Sequence, residues 1–207
     1  MTARKAASAV QKHRSSFSRR TRTVRCVVCV TGMPAAGKEE VVRVARKLGF
    51  SVIRMGDIVR AEARRRGLPL TDAAVGGMAH QERVEFGFGI WAERTAPHLR
   101  GTKVLIDGLR GKAELDVYRR VFGDRLRVLA VHASPETRFK RTARRGRSDD
   151  VRTLEKFRAR DERELGWGLG DVIALADAMI VNETTPADLR RASKDWLEQV
   201  LGSSQAA

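Results

Sequence analysis

Gly32-Met-Pro-Ala-Ala-Gly37-Lys38 is the stretch of this chain whose residue types and spacing most plainly could do chemistry. In the pattern G-x-x-x-x-G-K the glycines let the backbone curl until successive N–H groups face one anion. A lysine at its end reaches the outer phosphates of a nucleotide as a point charge. Gly32, Met33, Pro34, Ala35, Ala36, Gly37 and Lys38 are therefore the expected phosphate cradle, with Lys38 also catalytic. The pattern calls next for Ser or Thr, whose hydroxyl ligates Mg²⁺; this chain has Glu39. A carboxylate can hold the metal directly or through water, so Glu39 is an expected metal ligand. It also adds a negative charge beside the phosphates.

Other reactive residues take plainer readings. Cys26 and Cys29 form a C-x-x-C inside the apolar run 24–30. Redox or metal chemistry would want the pair at a helix start, whereas residues three apart on a strand face opposite sides. His80, His98 and His132 are dispersed without metal spacing, and Trp91, Trp167 and Trp196 read as packing residues. The formal charge of +16 looks at first like that of a nucleic-acid protein. Eight basic side chains and no acid fall within residues 1–25, however, and arginines outnumber lysines thirty-two to nine. Charge alone decides little.

The elements that must position the loop alternate along the chain. Residues 1–23 lack apolar periodicity and read as a disordered basic arm. It is a nucleic-acid or membrane-surface tail, a transit peptide, or the product of an early start codon. Residues 24–203 read as one domain, and 204–207 as a tail. The run 24–30 suits a central parallel strand buried on both faces, followed by a helix over 37–48. A short strand at 51–54 leads into helices at 57–66, 73–85 and 88–99. Further strands are expected at 103–106, 126–131 and 179–181. Further helices are expected at 112–122, from Pro135 to about Arg145 behind a Ser134 cap, at 152–165, and at 186–201 behind Thr185. Residues 166–170 read as a flexible turn. Five strands alternating with helices argue for an α/β fold with a parallel sheet, whose ligands bind beyond the carboxyl ends of the strands. No apolar run approaches the roughly 20 residues that span a bilayer, so a cytoplasmic chain without membrane contact is expected.

Gly56-Asp57-Ile58-Val59-Arg60 resembles the G-D-x-x-R that opens the acceptor-binding helices of adenylate-kinase-like nucleoside monophosphate kinases. The stretch 103–110, ending Asp107-Gly108-Leu109-Arg110, resembles their strand ending D-G-x-P-R, shortened by one residue. Arg138 to Asp150 is similar to their short lid. More narrowly, T-G-M-P, M-G-D-I-V-R, V-H-A-S-P-E-T-R, G-R-S-D-D and the stretch 171–182 resemble an archaeal family of adenylate-kinase-related P-loop proteins, related more distantly to dephospho-coenzyme A kinases. The resemblance implies a three-layer P-loop α/β/α domain with five parallel strands, an acceptor-binding helical insert at about 56–100 and a short lid at about 138–165. It implies ATP and Mg²⁺ as cofactors. Arg60, Gly108 and Arg110 would meet a phosphate-bearing acceptor, Asp107 would orient Mg²⁺, and Asn182 would border the nucleotide. Arg141, Arg145 and Arg147, with Arg158 or Arg160, would close over the phosphates, where positioned cations matter more than covalent chemistry.

Three functions stay open on the sequence. One is phosphoryl transfer to a nucleoside monophosphate. A second is transfer to a hydroxyl, for which Asp57 could serve as general base. The third is an ATP-dependent switch that contacts RNA or a ribosomal particle through the basic arm.

Overall fold

A computed structural model of the chain describes residues 23–145 and 153–203. Residues 1–22 of the expected arm at 1–23, the expected lid core at 146–150 with Arg147, residues 151–152 and the tail at 204–207 lie outside the described residues. So does the side chain of Arg145.

Five parallel strands run in the order β2-β3-β1-β4-β5. They are β1 (Cys26–Thr31), β2 (Ser51–Arg54), β3 (Lys103–Asp107), β4 (Leu126–His132) and β5 (Ala178–Val181). Every residue of β1 is buried, as a central strand covered on both faces requires. Its side chains alternate between two apolar layers. Val27 and Cys29 face Trp91, Leu115 and Phe122. Cys26, Val28 and Val30 face Val41, Leu189 and Leu197. The two thiols thus belong to opposite layers, and burial pushes that of Cys29 far up from its ordinary pKa.

The helices are α1 (Lys38–Lys47), α2 (Met55–Arg65), α3 (Asp72–Phe86), α4 (Ile90–Thr95), α5 (Lys112–Phe122), α6 (Pro135–Arg145), α7 (Leu154–Gly166), α8 (Leu169–Ala174) and α9 (Pro186–Ser203). α1 and α9 cover one face of the sheet. The helices between β2 and β3, with α5 and α8, cover the other. Capping follows local chemistry: Ala74 N–H donates to Thr71 Oγ1 at 3.3 Å and Asp188 N–H to Thr185 Oγ1 at 3.2 Å. No helix among the described residues is long and apolar enough to cross a membrane.

Three boundaries differ from those expected. α2 follows β2 without a loop, so Gly56 and Asp57 lie in its first turn. Pro97 ends α4 early, in a 3₁₀ turn over Ala96–His98. Most of the expected turn at 166–170 is helical. Only Trp167 and Gly168 separate α7 from α8, and Gly168, at φ 88°, breaks the helix by entering the left-handed region.

Candidate active site

The phosphate loop sits at the carboxyl end of β1. Its curl rests on two glycines. A Cβ on Gly32 (φ 136°) would lie 2.1 Å from the carbonyl oxygen of Val131, and one on Gly37 (φ 110°) 2.3 Å from Nδ2 of Asn182. Ala35, at φ 62°, is left-handed without being glycine, a conformation that costs roughly 1–2 kcal/mol. Lys38 Nζ donates to the carbonyls of Gly32 at 2.6 Å and Met33 at 3.0 Å. Burial brings its ammonium down to about 8 despite the Asp107 carboxylate nearby. Desolvation thus outweighs attraction at this lysine.

Asn182 is buried at the end of β5. Its Nδ2 donates to Ala36 O at 2.7 Å, and its Oδ1 has no hydrogen-bond partner among the described residues. Arg141 Nη2 donates to the carbonyl of Asn182 at 2.9 Å. Arg138, on the same helix, is buried and forks onto Asp161 of α7 at 2.9 and 2.6 Å. Its Nη1 also reaches Pro34 O at 3.4 Å. The base of the expected lid, at Arg138 where the lid resemblance begins, is therefore fastened to the phosphate loop.

Beside the loop stand two carboxylates and one guanidinium. Arg54 Nη2 donates to both oxygens of Glu39, at 2.9 and 2.8 Å, while its Nε lies 3.9 Å from Asp107 Oδ2. Asp107 Oδ1 is buried with no hydrogen-bond partner among the described residues. Burial raises the pKa of Asp107, against the opposing pull of Lys38 and Arg54. An unsatisfied carboxylate oxygen at the end of β3 fits a hard cation such as Mg²⁺. Glu39 differs in that each of its oxygens accepts a hydrogen bond from Arg54.

A cavity of about 380 Å³ opens on the other side of Gly108 and Arg110. Met55, Val59, Leu70 and Val75 form an apolar wall, and Arg60, Arg83, Arg110, Arg160 and Arg163 a cationic one. Each cation is held by an acid. Arg83 meets Glu114 at 2.8 Å, both fully buried, Arg110 meets buried Glu164, and Arg60 meets Asp57 at 2.5 Å. Asp72 serves two cations, Arg163 at 2.7 Å and Arg160 at 3.6 Å. Trp167 lines the cavity with the Arg83 guanidinium 4.4 Å from its ring centroid, and its Nε1 donates to His80 Nδ1 at 3.2 Å.

The expected site residues fall out unevenly. Arg60, Gly108 and Arg110 line the cavity. The Asp57 side chain, 63% exposed, pairs with Arg60 and does not line it. Arg158 is exposed and stands apart. The cause is helical geometry: Phe157, Arg160 and Glu164 share the inward stripe of α7, and Arg158 is two positions off Arg160, about 200° around the helix. Arg160 was legible as half of a choice, whereas Arg163, one turn on, was missed. Arg54 was missed too, although it ends a parallel strand, where ligands bind.

A UPF0200 protein of Thermoplasma volcanium is 48% identical over 158 residues, which cover 76% of this chain and 88% of the relative. This chain belongs to the UPF0200 family. Within the UPF0200 chain, residues 31–158 also match the family model described as an AAA domain. Among solved structures, a gluconokinase from Sinorhizobium meliloti superposes with a TM-score of 0.53 at 16% identity, over 84% of this chain and 93% of the other. A shikimate kinase from Acinetobacter baumannii in complex with shikimate does so at 0.53 and 19%, over 90% and 98%. At these identities the likeness is one of fold: the UPF0200 chain has a P-loop kinase-like fold.

Proposed function

We propose that the chain binds ATP on the Gly32–Lys38 loop and transfers its terminal phosphoryl group to a small phosphate-bearing acceptor, a nucleoside monophosphate in the first instance. One observation carries the reading. The arginine-lined cavity and the phosphate loop share the carboxyl end of the sheet, and the stretch from Asp107 to Arg110 borders both. Thr31 Oγ1 fixes their relation by donating to Leu109 O at 2.8 Å. The apolar wall suits a nucleoside, and guanidinium forks suit its phosphate.

In this reading Lys38 and the loop N–H groups hold the donor phosphates, and Arg160 and Arg163 hold the acceptor. The bond from the γ-phosphorus to its bridging oxygen breaks as an acceptor oxygen forms its own bond to phosphorus. Arg141 stands at the loop to meet the charge that spreads over the transferred group. Asp107 would hold Mg²⁺, which supplies neutralisation of the β- and γ-phosphate oxygens. Arg147 and the lid core stay part of the proposal as sequence expectations.

A second reading, transfer to a hydroxyl, is favoured by the state of Asp107. A buried carboxylate with a free oxygen and a raised pKa is what a general base requires, and Asp57 is too exposed to compete. The test is nucleoside diphosphate release in a coupled assay across nucleoside monophosphates and dephospho-coenzyme A. Stimulation by a monophosphate above the acceptor-free rate is expected. Stimulation only by the hydroxyl acceptor would replace the first reading by the second.

A further inference from the structure

Glu39 puts a full negative charge in the first turn of α1, beside the place the nucleotide phosphates would take. Such a charge needs a counter-ion, and the fold supplies one within the site. Arg54 is the last residue of β2, and in the sheet ladder it is the register partner of Asp107. Register partners on adjacent parallel strands project to one face about 4.8 Å apart. The sheet itself therefore sets an arginine next to the aspartate.

From there the guanidinium reaches both carboxylates, giving two hydrogen bonds to Glu39 and a longer ion pair to Asp107. Arg54 Nε and Asp107 Oδ1 both remain buried without hydrogen-bond partners among the described residues. The contact to Asp107 is thus unfinished on both sides. The Arg54 side chain is still 30% exposed, so it is not sealed into the core. One cation stands between the two carboxylates that would otherwise frame a divalent metal.

We propose that Arg54 is the tethered counter-ion of the phosphate site, positioned so that the loop accepts a nucleoside triphosphate without a divalent metal. Arg54 meets the phosphates from the same side as Lys38 and offsets Glu39. Its Nε stands 3.9 Å from Asp107 Oδ2, so a metal held at the free Oδ1 of that carboxylate would have the guanidinium as a competing neighbour. The chain consequently distinguishes metal-free from metal-bound nucleotide far less than a loop with a hydroxyl after its lysine would. This inference rests on the reading that Gly32–Lys38 binds nucleotide, and it adds which form of nucleotide binds.

The test is calorimetric titration with the non-hydrolysable β,γ-imido analogue of ATP, once in excess EDTA and once in excess Mg²⁺ at matched ionic strength. For the natural chain the two affinities should agree within about threefold. Arg54→Gln should lose about tenfold or more in EDTA and less than about threefold in Mg²⁺. Arg54→Lys, which keeps the charge and the strand, should recover most of the EDTA affinity. An equal loss by Arg54→Gln in both conditions would make the residue merely structural and overturn the inference. A natural chain that needs Mg²⁺ for measurable binding would overturn it too, while leaving the loop assignment standing. Absence of binding in both conditions would instead overturn the loop assignment, and the inference with it. Lys38→Ala, expected to lose binding in both conditions, shows what failure of the loop looks like.

Discussion

The Asn182 side chain donates to the carbonyl oxygen of Ala36 at 2.7 Å, tying the end of β5 to a loop 146 residues earlier in the chain. Asn182→Ala removes that donor and leaves the carbonyl only the long contact from Arg141 Nη1 at 3.5 Å, at a cost of about 1 kcal/mol or more. The melting temperature should drop by several degrees, and ATP affinity should fall with it. Asn182→Asp should be worse, since a carboxylate would face the carbonyl. Thermal denaturation with a nucleotide titration checks both variants, and unchanged values would show the bond to be incidental to the loop.

Lys38 provides a proton count. Burial holds its pKa down at about 8, and phosphates would favour the charged form, so nucleotide binding should raise it. At pH 8 binding should take up about half a proton per site, and at pH 7 about a tenth. Calorimetry in two buffers of different ionisation enthalpy measures this directly. The uptake should vanish in Lys38→Met. Uptake that persists in the variant would assign the proton to another group.

Glu39→Ser restores the hydroxyl of the common loop, yet alone it should change Mg·ATP affinity by less than about threefold. Arg54 remains next to Asp107 in that variant, freed from Glu39 and more available to the aspartate. Combining Glu39→Ser with Arg54→Ala should tighten Mg·ATP severalfold. If the single substitution already gives the whole gain, Arg54 does not restrain the metal.

Acceptor binding should divide the arginines of α7. Arg160→Ala and Arg163→Ala each remove a charged hydrogen-bond donor worth about 1.5–3 kcal/mol, which raises the acceptor KM about tenfold or more. Arg158→Ala should leave kcat and KM within about twofold. Asp57→Asn should be equally mild, whereas Asp107→Asn should lower kcat by at least an order of magnitude whichever acceptor is used. Steady-state kinetics with the acceptor found in the coupled assay decides. A large effect of Arg158→Ala would mean that α7 presents another face to the substrate.

Much of this architecture was legible from the sequence because local signals and tertiary packing agree. The apolar run before Gly32, the Ser134-Pro135 start and the Thr185 cap each mark an element that the structure contains. The phosphate loop was legible for a similar reason, since its glycines answer to backbone geometry at their own positions. The cavity was less so. Trp167 read as a packing residue, and it is indeed nearly buried; its place against Arg83, Arg110 and Arg163 depends on elements far apart in the chain. Arg54 gives no local signal at all, because its meaning comes from being the register partner of Asp107. Arg138 likewise shows its role only once α6 and α7 are packed and Asp161 arrives.

The two cysteines of β1 turn the central strand into a pair of clocks. Each thiol is shielded by a different layer, Cys29 by the helices between β2 and β3 together with α5, and Cys26 by α1 and α9. A reagent that modifies thiols reaches either one only when the layer above it lifts, so its labelling rate dates that opening. Equal rates would mean that the sheet loses both coverings in a single cooperative event. A faster rate at Cys29 would mean that the helices between β2 and β3 or α5 open while α1 and α9 stay closed, so that local opening and global unfolding run on separate timescales.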